Sequence, residues 1–553
     1  MKKIFLHWGI ISGITMFFIM ITSVCTAETN LVTLPASPGV GFPILSLMVF
    51  SPLLGLLFAC LLRNGHGERS AGVATLLSSF VTFALGIYLL LQFDLNHYGF
   101  QFVEQVPWID IFGIQYYLGI DGISLVLVLV AILILPSALA ATWSTKEKSW
   151  QFQVQTMLLQ IGILGSFMAL DAILFYTFFE IMLVPLYFMI GIWGGHNRIY
   201  ATTKFFIYTV FGSLLLLASI IYTGILYHET FGVWSFSIID WYDLPIPAST
   251  QMWLFAGFCL AFAIKAPMFP FHTWLPDAHY EAPTLGSVEL AAMLLKLGPY
   301  GIIRFVIPLF PDAAHVYVPI LIIFGLIGIT YGGLVAMVQQ KLKKLIAYSS
   351  VAHMGYIIIG VFVFNMQGLA GGLIQMINHA LVTGALFLCV GMLYQRTKTQ
   401  EIVDYGGVAH SMPIFACFFL FFSLASIGLP GLNGFVGELM IMLGAARMNI
   451  FYAIAAAFGV VIAAVYMLWM YQRVIFGPIK NDMVRNLKDL NLREQLVLIP
   501  LAVFTLVLGV YPQPFFDHVN TTLEGYLKQF NAEEFQQQHK FDLAAYWSLK
   551  QDK

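Results

Sequence analysis

Long apolar runs separated by short polar segments recur from about residue 42 to residue 512. A run of about 20 apolar residues is long enough to cross a bilayer as an α-helix. A helix also satisfies its own backbone hydrogen bonds inside the hydrocarbon, which an isolated extended segment does not. The pattern therefore predicts fourteen membrane spans: 42–62, 71–92, 117–141, 151–169, 172–193, 200–226, 251–266, 284–310, 317–338, 343–364, 367–395, 412–446, 450–477 and 493–512.

The charges between these spans alternate from one crossing to the next. Two long segments, 93–116 and 227–250, hold Asp and Glu but no Lys or Arg. Lys and Arg favour cytoplasmic loops, so we predict that both segments and the tail after Tyr511 lie outside a bacterial inner membrane. We expect the polar tail to form a helix on the membrane surface. The predicted inner segments hold Arg63, Arg69, Lys146, Lys148, Arg198, Lys204, Lys341, Lys343, Lys344, Arg396, Lys398, Arg473, Lys480, Arg485, Lys488 and Arg493.

The first 27 residues differ from the rest of the chain. Lys2 and Lys3 precede an apolar run, and small residues lead up to Ala27. This arrangement is typical of a signal peptide, although a retained extra helix is the alternative. The remainder divides into a three-helix region at 28–141, five-helix units at 151–310 and 317–477, and a last helix with its tail at 493–553.

Two spans are interrupted by helix-breaking residues. Pro267 and Pro270 follow Lys265 in the seventh span, and Gly428-Leu-Pro-Gly431 divides the twelfth. Proline removes a backbone donor, and in lipid the freed carbonyl needs protein or water. The breaks lie five spans apart, and five is odd, so the two five-helix units would be inverted. Broken helices in corresponding positions of inverted repeats mark the central site of many transporters. The predicted fold is an all-α polytopic membrane protein with two inverted five-helix repeats.

Charged residues inside the spans are the candidates for function. Only 10% of the 553 residues are charged, against about 25% in soluble domains. A charge at mid-bilayer costs about 2.5–3.5 kcal/mol on insertion scales. Glu180 and Lys296 lie within the fifth and eighth spans, while Lys265 and Glu438 adjoin the two breaks. Desolvation favours the neutral form of Lys265 and a nearby carboxylate favours its charged form, so its proton would be switchable.

Three of these charges also have a simpler interpretation. Glu180 could be a structural carboxylate capped by a neighbour, and Lys265 could extend to the inner surface. Glu438 could cap the helix that follows the second break.

Other titratable side chains lie close by in the sequence. His353 and His379 are on adjacent spans, where an imidazole can pass a proton between its two nitrogens; packed histidines are the alternative. Lys204 either modulates the Glu180–Lys265 pair or extends to the inner surface. In the loop 271–283, His272, Asp277 and His279 are metal-ligand types, but a packed proline-rich loop that closes the inner end is favoured, so no metal site is predicted.

Redox chemistry is not expected on this chain. Its five cysteines have no CxxC spacing, and the sequence contains neither a glycine-rich dinucleotide fingerprint nor a P-loop. No nucleic-acid partner is predicted. These features leave proton or ion movement as the function of the intramembrane charges.

Four stretches resemble the antiporter-like, proton-translocating subunits of respiratory complex I, which are related to cation/proton antiporter subunits. They are residues 179–185, 265–279, 344–355 and 431–438. The resemblance covers roughly residues 42–512; the extension before about residue 40 is unusual for the family. Glutamate at 438, where the L and N types usually have lysine, resembles the M type, as does the absence of the long C-terminal extension of the L type.

The resemblance implies roles for the candidate residues. Glu180 and Lys265 would form the first ion pair and Lys296 the central relay, with His353 and His379 as connectors and Glu438 as the terminal site. It also implies L-type and N-type neighbours in the membrane arm. The family's NAD, FMN, iron–sulfur clusters and ubiquinone would be bound by other subunits, and this chain would hold no cofactor. A subunit of a Na⁺/H⁺ antiporter and a non-transporting scaffold are the alternative functions.

Overall fold

The computed structural model describes residues 42–61, 67–142 and 150–529, the side chains of residues 67–70 excepted. The predicted leader 1–27, Arg63, Lys146, Lys148 and the tail beyond residue 529 lie outside the described residues. The helices are α1 (Ile44–Phe50), α2 (Pro52–Leu61), α3 (Gly67–Gln92), α4 (Gly122–Ala141), α5 (Trp150–Met168), α6 (Ala172–Ile181), α7 (Leu183–Trp193), α8 (Arg198–Phe231), α9 (Ile238–Trp241), α10 (Ala248–Lys265), α11 (Trp274–Glu281), α12 (Thr284–Ala292), α13 (Leu297–Gly301), α14 (Ile307–Leu309), α15 (Pro311–Met337), α16 (Leu342–Phe362), α17 (Met366–Thr397), α18 (Val408–Ser411), α19 (Pro413–Ile427), α20 (Asn433–Met448), α21 (Ile450–Ile475), α22 (Asp482–Arg485), α23 (Leu492–Val510) and α24 (Gln513–Gln529).

The prediction of a helical polytopic membrane protein is confirmed. Within the described residues, 12 segments are long and apolar enough to cross a membrane, and each coincides with a predicted span. The other two predicted spans are also helical. One is α5, which is less apolar because it carries several glutamines, and the other is divided into α19 and α20 by the second break. The division into units at 151–310 and 317–477 stays a prediction.

The loop 93–116 and the start of the third span were predicted wrongly. Residues Gln101–Ile109 (β1) and Ile114–Ile120 (β2) form an antiparallel hairpin, and the span begins only at Gly122. Asp121 caps that helix by accepting a hydrogen bond from the backbone N–H of Ser124. Strand β2 is apolar and runs directly into α4, so hydropathy alone does not separate the strand from the helix. Beyond the spans, α24 matches the predicted helix in the tail.

Two central helices, α16 and α17, are buried on almost every face. Small residues allow the close approach of their neighbours. A Cβ built on Gly355 of α16 would lie only 2.5 Å from the backbone oxygen of Gly325 in α15, so this contact requires glycine. Most polar side chains on α16 and α17 are therefore shielded from lipid and from bulk water.

Two further spans are interrupted where no break was predicted. The fifth span divides at Met182, directly after Glu180 and before Pro185, which has no N–H for the carbonyl of Ile181. The eighth passes from α12 through a 3₁₀ turn, Leu294–Lys296, into α13 and then a π-helical turn at 302–306. Irregular turns of this kind inside helices are frequent at functional sites. Glu180 and Lys296 thus both lie beside irregular backbone.

Candidate functional site

Lys296 lies at the centre of the molecule, in the 3₁₀ turn that interrupts the eighth span. Its side chain is 0% exposed. The Nζ atom lies 2.6 Å from the backbone oxygen of Ala291 and 2.6 Å from Nδ1 of His379 on α17. A charged Lys296 would donate to both, provided that Nδ1 of His379 is unprotonated. The predicted central lysine is therefore in direct contact with a predicted connector.

The second connector, His353 on α16, continues this contact. The ring centroids of His353 and His379 are 5.7 Å apart, with the planes inclined by 62°. Nε2 of His353 lies 3.1 Å from Oγ of Ser426, at the end of α19. Between these residues is a cavity of about 10 Å³, lined by both histidines, Ser426 and Thr383. That volume is close to the minimum for one water molecule.

Glu438 forms the far end of the same group. It is 2% exposed, and its Oε1 lies 3.3 Å from Nδ1 of His353 and accepts a 3.3 Å hydrogen bond from Nε2 of Gln375. Gln375 in turn accepts a hydrogen bond from Asn378. Glu438 is the sixth residue of α20, so it lies beyond the first turn, where a helix cap would act. The cap interpretation therefore does not fit its position.

Glu180 and Lys265 are arranged differently. Lys265 ends α10 and is only 3% exposed, so it does not extend to the inner surface. Its Nζ lies 4.3 Å from the ring centroid of Phe179, which it faces as a cation faces an aromatic ring. Glu180 is half-buried, and the two charges influence each other without an ion-pair contact within 4.0 Å. The structure brings the pair into one region but not into contact.

Lys204 contacts Asp277 on α11 instead of this pair. Its Nζ lies 2.9 Å from Oδ2 of Asp277, whose Oδ1 lies 3.2 Å from Nζ of Lys344. Asp277 thus joins α8, α11 and α16. Lys204 therefore neither contacts the Glu180–Lys265 pair directly nor extends freely to the surface.

The two histidines of the predicted loop 271–283 do not converge with Asp277 on one point. Among the described residues, no group of three potential ligands is close enough to hold a metal ion. The ring nitrogens of His272 and His279 have no hydrogen-bond partner there. Burial, with the charges of Lys343 and Lys296, lowers the pKa of His279 to about 3, so its imidazole is neutral. Most of this segment is a short, largely buried helix, α11, where the sequence analysis expected a packed loop.

Two buried ionisable features were missed by the sequence analysis. Arg304 in the eighth span forms an ion pair with Asp121, donates to Oγ of Ser124 at 3.1 Å and lies over the ring of Phe100. Glu289 in the same span is buried and finds no hydrogen-bond partner within the described part of the chain. Both residues interrupt an apolar run in the same way as Lys296, so the signal that identified Lys296 would have found them.

The family of the chain follows from its match to a known group of membrane proteins. The family described as NADH:quinone oxidoreductase/Mrp antiporter, transmembrane, matches residues 169–463, more than half of the chain. The chain belongs to this family. Within the match lie both breaks and all six residues of the predicted path.

Relatives narrow the position of the chain within the NADH:quinone oxidoreductase/Mrp antiporter family. It is 41% identical over 500 residues to NADH-quinone oxidoreductase subunit M of Rhodobacter capsulatus, covering 89% of this chain and 97% of the relative. It is 40% identical over 481 residues to NADH-ubiquinone oxidoreductase chain 4 of Marchantia polymorpha, covering 87% of this chain and 96% of the relative. The resemblance to the M type is therefore confirmed.

Solved structures agree with the family assignment. A chain of respiratory complex I from Thermus thermophilus with bound NADH superimposes with a TM-score of 0.79 at 32% identity, covering 87% of this chain and 99% of the other. A chain of the Mrp complex from Dietzia sp. DQ12-45-1b gives a TM-score of 0.77 at 20% identity, covering 90% and 100%; this likeness concerns the fold alone. The chain is a proton-translocating membrane subunit of the complex I enzyme, and the Mrp alternative has less support.

Proposed function

We propose that Lys296, His379, His353 and Glu438 form a proton-conducting chain and that Glu180 and Lys265 form the switch that drives it. The observation that carries the proposal is the 2.6 Å contact between Nζ of Lys296 and Nδ1 of His379. An amine and an imidazole at this distance can exchange a proton directly. Three buried titratable groups then follow one another up to Glu438.

Proton movement along this chain uses both nitrogens of each imidazole. Lys296 gives a proton to Nδ1 of His379, and the ring releases another from Nε2, which has no partner among the described residues. The cavity between the rings has room for about one water molecule to bridge them. Nδ1 of His353, 3.3 Å from the Glu438 carboxylate, then completes the transfer. Gln375 holds that carboxylate in place.

The switch acts through charge. When the Glu180 carboxylate moves toward Lys265, it favours the ammonium form there; when it moves away, desolvation favours the neutral amine. A change of two pKa units is worth about 2.7 kcal/mol. Moving one proton against 100 mV requires about 2.3 kcal/mol. A buried pair of this kind therefore supplies energy of the required order to Lys296.

The setting of the chain is part of the proposal. We assign L-type and N-type subunits as its neighbours in the membrane arm, and NAD, FMN, iron–sulfur clusters and ubiquinone to other subunits. The half-buried Glu180 and the exposed apolar side chains of the outer helices support contacts with neighbours and lipid. The acidic loops 93–116 and 227–250 support an outer, periplasmic position for them and for the C-terminus.

The Lys296→Ala variant tests the proposal. Proton pumping and quinone reductase turnover should both fall to a small fraction of the wild-type values, because the two are coupled. Alanine removes the buried amine without adding a polar group, so the complex should assemble. Lys488→Ala, at an exposed lysine, is the control and should pump normally. Wild-type pumping by assembled Lys296→Ala complex would rule out the relay.

A further inference from the structure

Glu289 is a buried carboxyl group that the proton chain above does not use. It lies on α12 and is 1% exposed. Neither of its oxygens has a hydrogen-bond partner among the described residues. Its position is thus unlike that of Glu438, which has both His353 and Gln375 beside it.

An isolated carboxylate is not stable in such a place. Burying an ion without a partner is far more costly than burying a neutral polar group, and the group neutralises instead. An apolar side chain of similar size would fill the same space at no such cost. A carboxyl group here is therefore a neutral acid at rest, and it can release its proton only when water or a cation reaches it.

The place of Glu289 on its helix suggests what that proton is for. Glu289 precedes Lys296 by seven residues, or about 10 Å along the axis at 1.5 Å per residue. The helix starts at Thr284, directly after α11, at the end predicted to face inward. Two residues before Glu289, Oγ of Ser287 donates to the backbone oxygen of His279 on α11 at 3.1 Å. Glu289 thus lies between the inner end of the span and Lys296.

We propose that Glu289 is an additional proton-holding residue that supplies Lys296 from the inner side. The inference rests on the proposed relay role of Lys296. The O–H bond of the Glu289 acid breaks as an N–H bond forms on the neutral Lys296 amine, with water passing the proton across the gap. The remaining carboxylate takes its next proton from water at the inner end. No electron transfer and no other reactant are involved.

The test compares Glu289→Gln, which keeps the shape but holds no acidic proton, with Glu289→Asp and with Leu290→Met as a packing control on the same helix. In assembled complex I, we expect Gln to lower pumping at least about tenfold. Asp should recover part of the loss, and Leu290→Met should match the wild type. Pumping by the Gln variant equal to that of the wild type would overturn the proposal.

Infrared spectroscopy gives a readout that a purely structural carboxyl would not. The redox-induced difference spectrum of the wild-type complex should contain a carboxylic-acid C=O band. This band should be lost in the Glu289→Gln variant and shifted in the Glu289→Asp variant. If this band is absent, or unaffected by the Asp variant, the proposal is wrong. Lys296→Ala separates the two hypotheses: if it stops pumping while Glu289→Gln does not, the relay stands and only the role of Glu289 falls.

Discussion

The two broken-helix regions of the molecule hold similar residues in different arrangements. At the second break, Oε1 of Glu438 lies 3.3 Å from Nδ1 of His353 and 3.3 Å from Nε2 of Gln375, and the chain of contacts continues to Lys296. At the first break, Lys265 faces the ring of Phe179, and Glu180 is half-buried nearby without touching it. One region is a connected series of proton-binding groups; the other is a pair of charges kept apart.

This difference indicates a division of labour. Proton transfer requires groups at hydrogen-bond distance or with room for a bridging water between them, which the second region provides. A switch requires two arrangements of different energy, and a carboxylate that is not locked to its lysine can supply them. The phenyl ring stabilises the Lys265 ammonium by about 0.5–2 kcal/mol, less than a buried ion pair would. The first region is therefore the part that can respond to events in the rest of the complex.

Of the variants that test this comparison, Glu180→Gln should have the largest effect on turnover and pumping. This variant removes the charge and keeps the shape, so Lys265 loses its counter-charge and its neutral form is favoured throughout the cycle. We expect turnover and pumping to fall severely, with Glu180→Asp retaining part of both. Glu229→Gln, at an exposed carboxylate on α8, is the control. If the Glu180→Gln variant were as active as the wild type, the first region would not be an ion-pair switch.

A smaller effect is expected from Phe179→Leu. The leucine is apolar but offers no ring face to the ammonium, so the charged form of Lys265 loses about 0.5–2 kcal/mol of stabilisation. Turnover should fall by a few-fold. Phe178→Leu makes the same change at the adjacent buried ring and shows how much of the effect is packing. Equal loss in the two variants would mean that the contact with Lys265 has no special role.

The smallest effect is expected from Asp277→Asn. Lys204, Lys344 and Asp277 are each about a quarter exposed, and partly exposed ion pairs contribute about 0–1 kcal/mol. Turnover should stay close to the wild-type value. Asp482→Asn, which weakens a surface pair with Arg485, is the matched control. A loss as large as that of Glu180→Gln would instead support a modulating role of Lys204 on the switch.

Sequence reasoning succeeded where one strong physical constraint acts on a long segment. Among the described residues, hydropathy located all 12 segments that are long and apolar enough to cross a membrane, because leaving about 20 apolar residues in water is costly. The same constraint singled out Lys296 and Glu438, whose charges are rare in apolar runs. Hydropathy did not reveal the hairpin Gln101–Ile120, because a short apolar strand followed by an apolar helix gives one continuous hydropathy signal.

Local geometry could not be predicted in the same way. The helix α12, which leads into the 3₁₀ turn at Lys296, packs against α17, and sequence spacing does not show that contact. The ring of Phe179, and not the carboxylate of Glu180, lies next to Lys265, and sequence spacing carries no information on that either. Asp277 pairs with Lys204 because α8, α11 and α16 meet around it, which is a tertiary contact.

The central claim, that the second region conducts protons, is tested most directly at Glu438. If Glu438 is the terminal proton site, its role needs an ionisable group, so Glu438→Lys should pump better than Glu438→Gln. If the carboxylate only accepts hydrogen bonds from Gln375 and His353, glutamine should be the milder change. Proton pumping by the two variants, measured in membrane vesicles at matched complex content, gives opposite rank orders. We predict lysine above glutamine; glutamine above lysine would contradict the account.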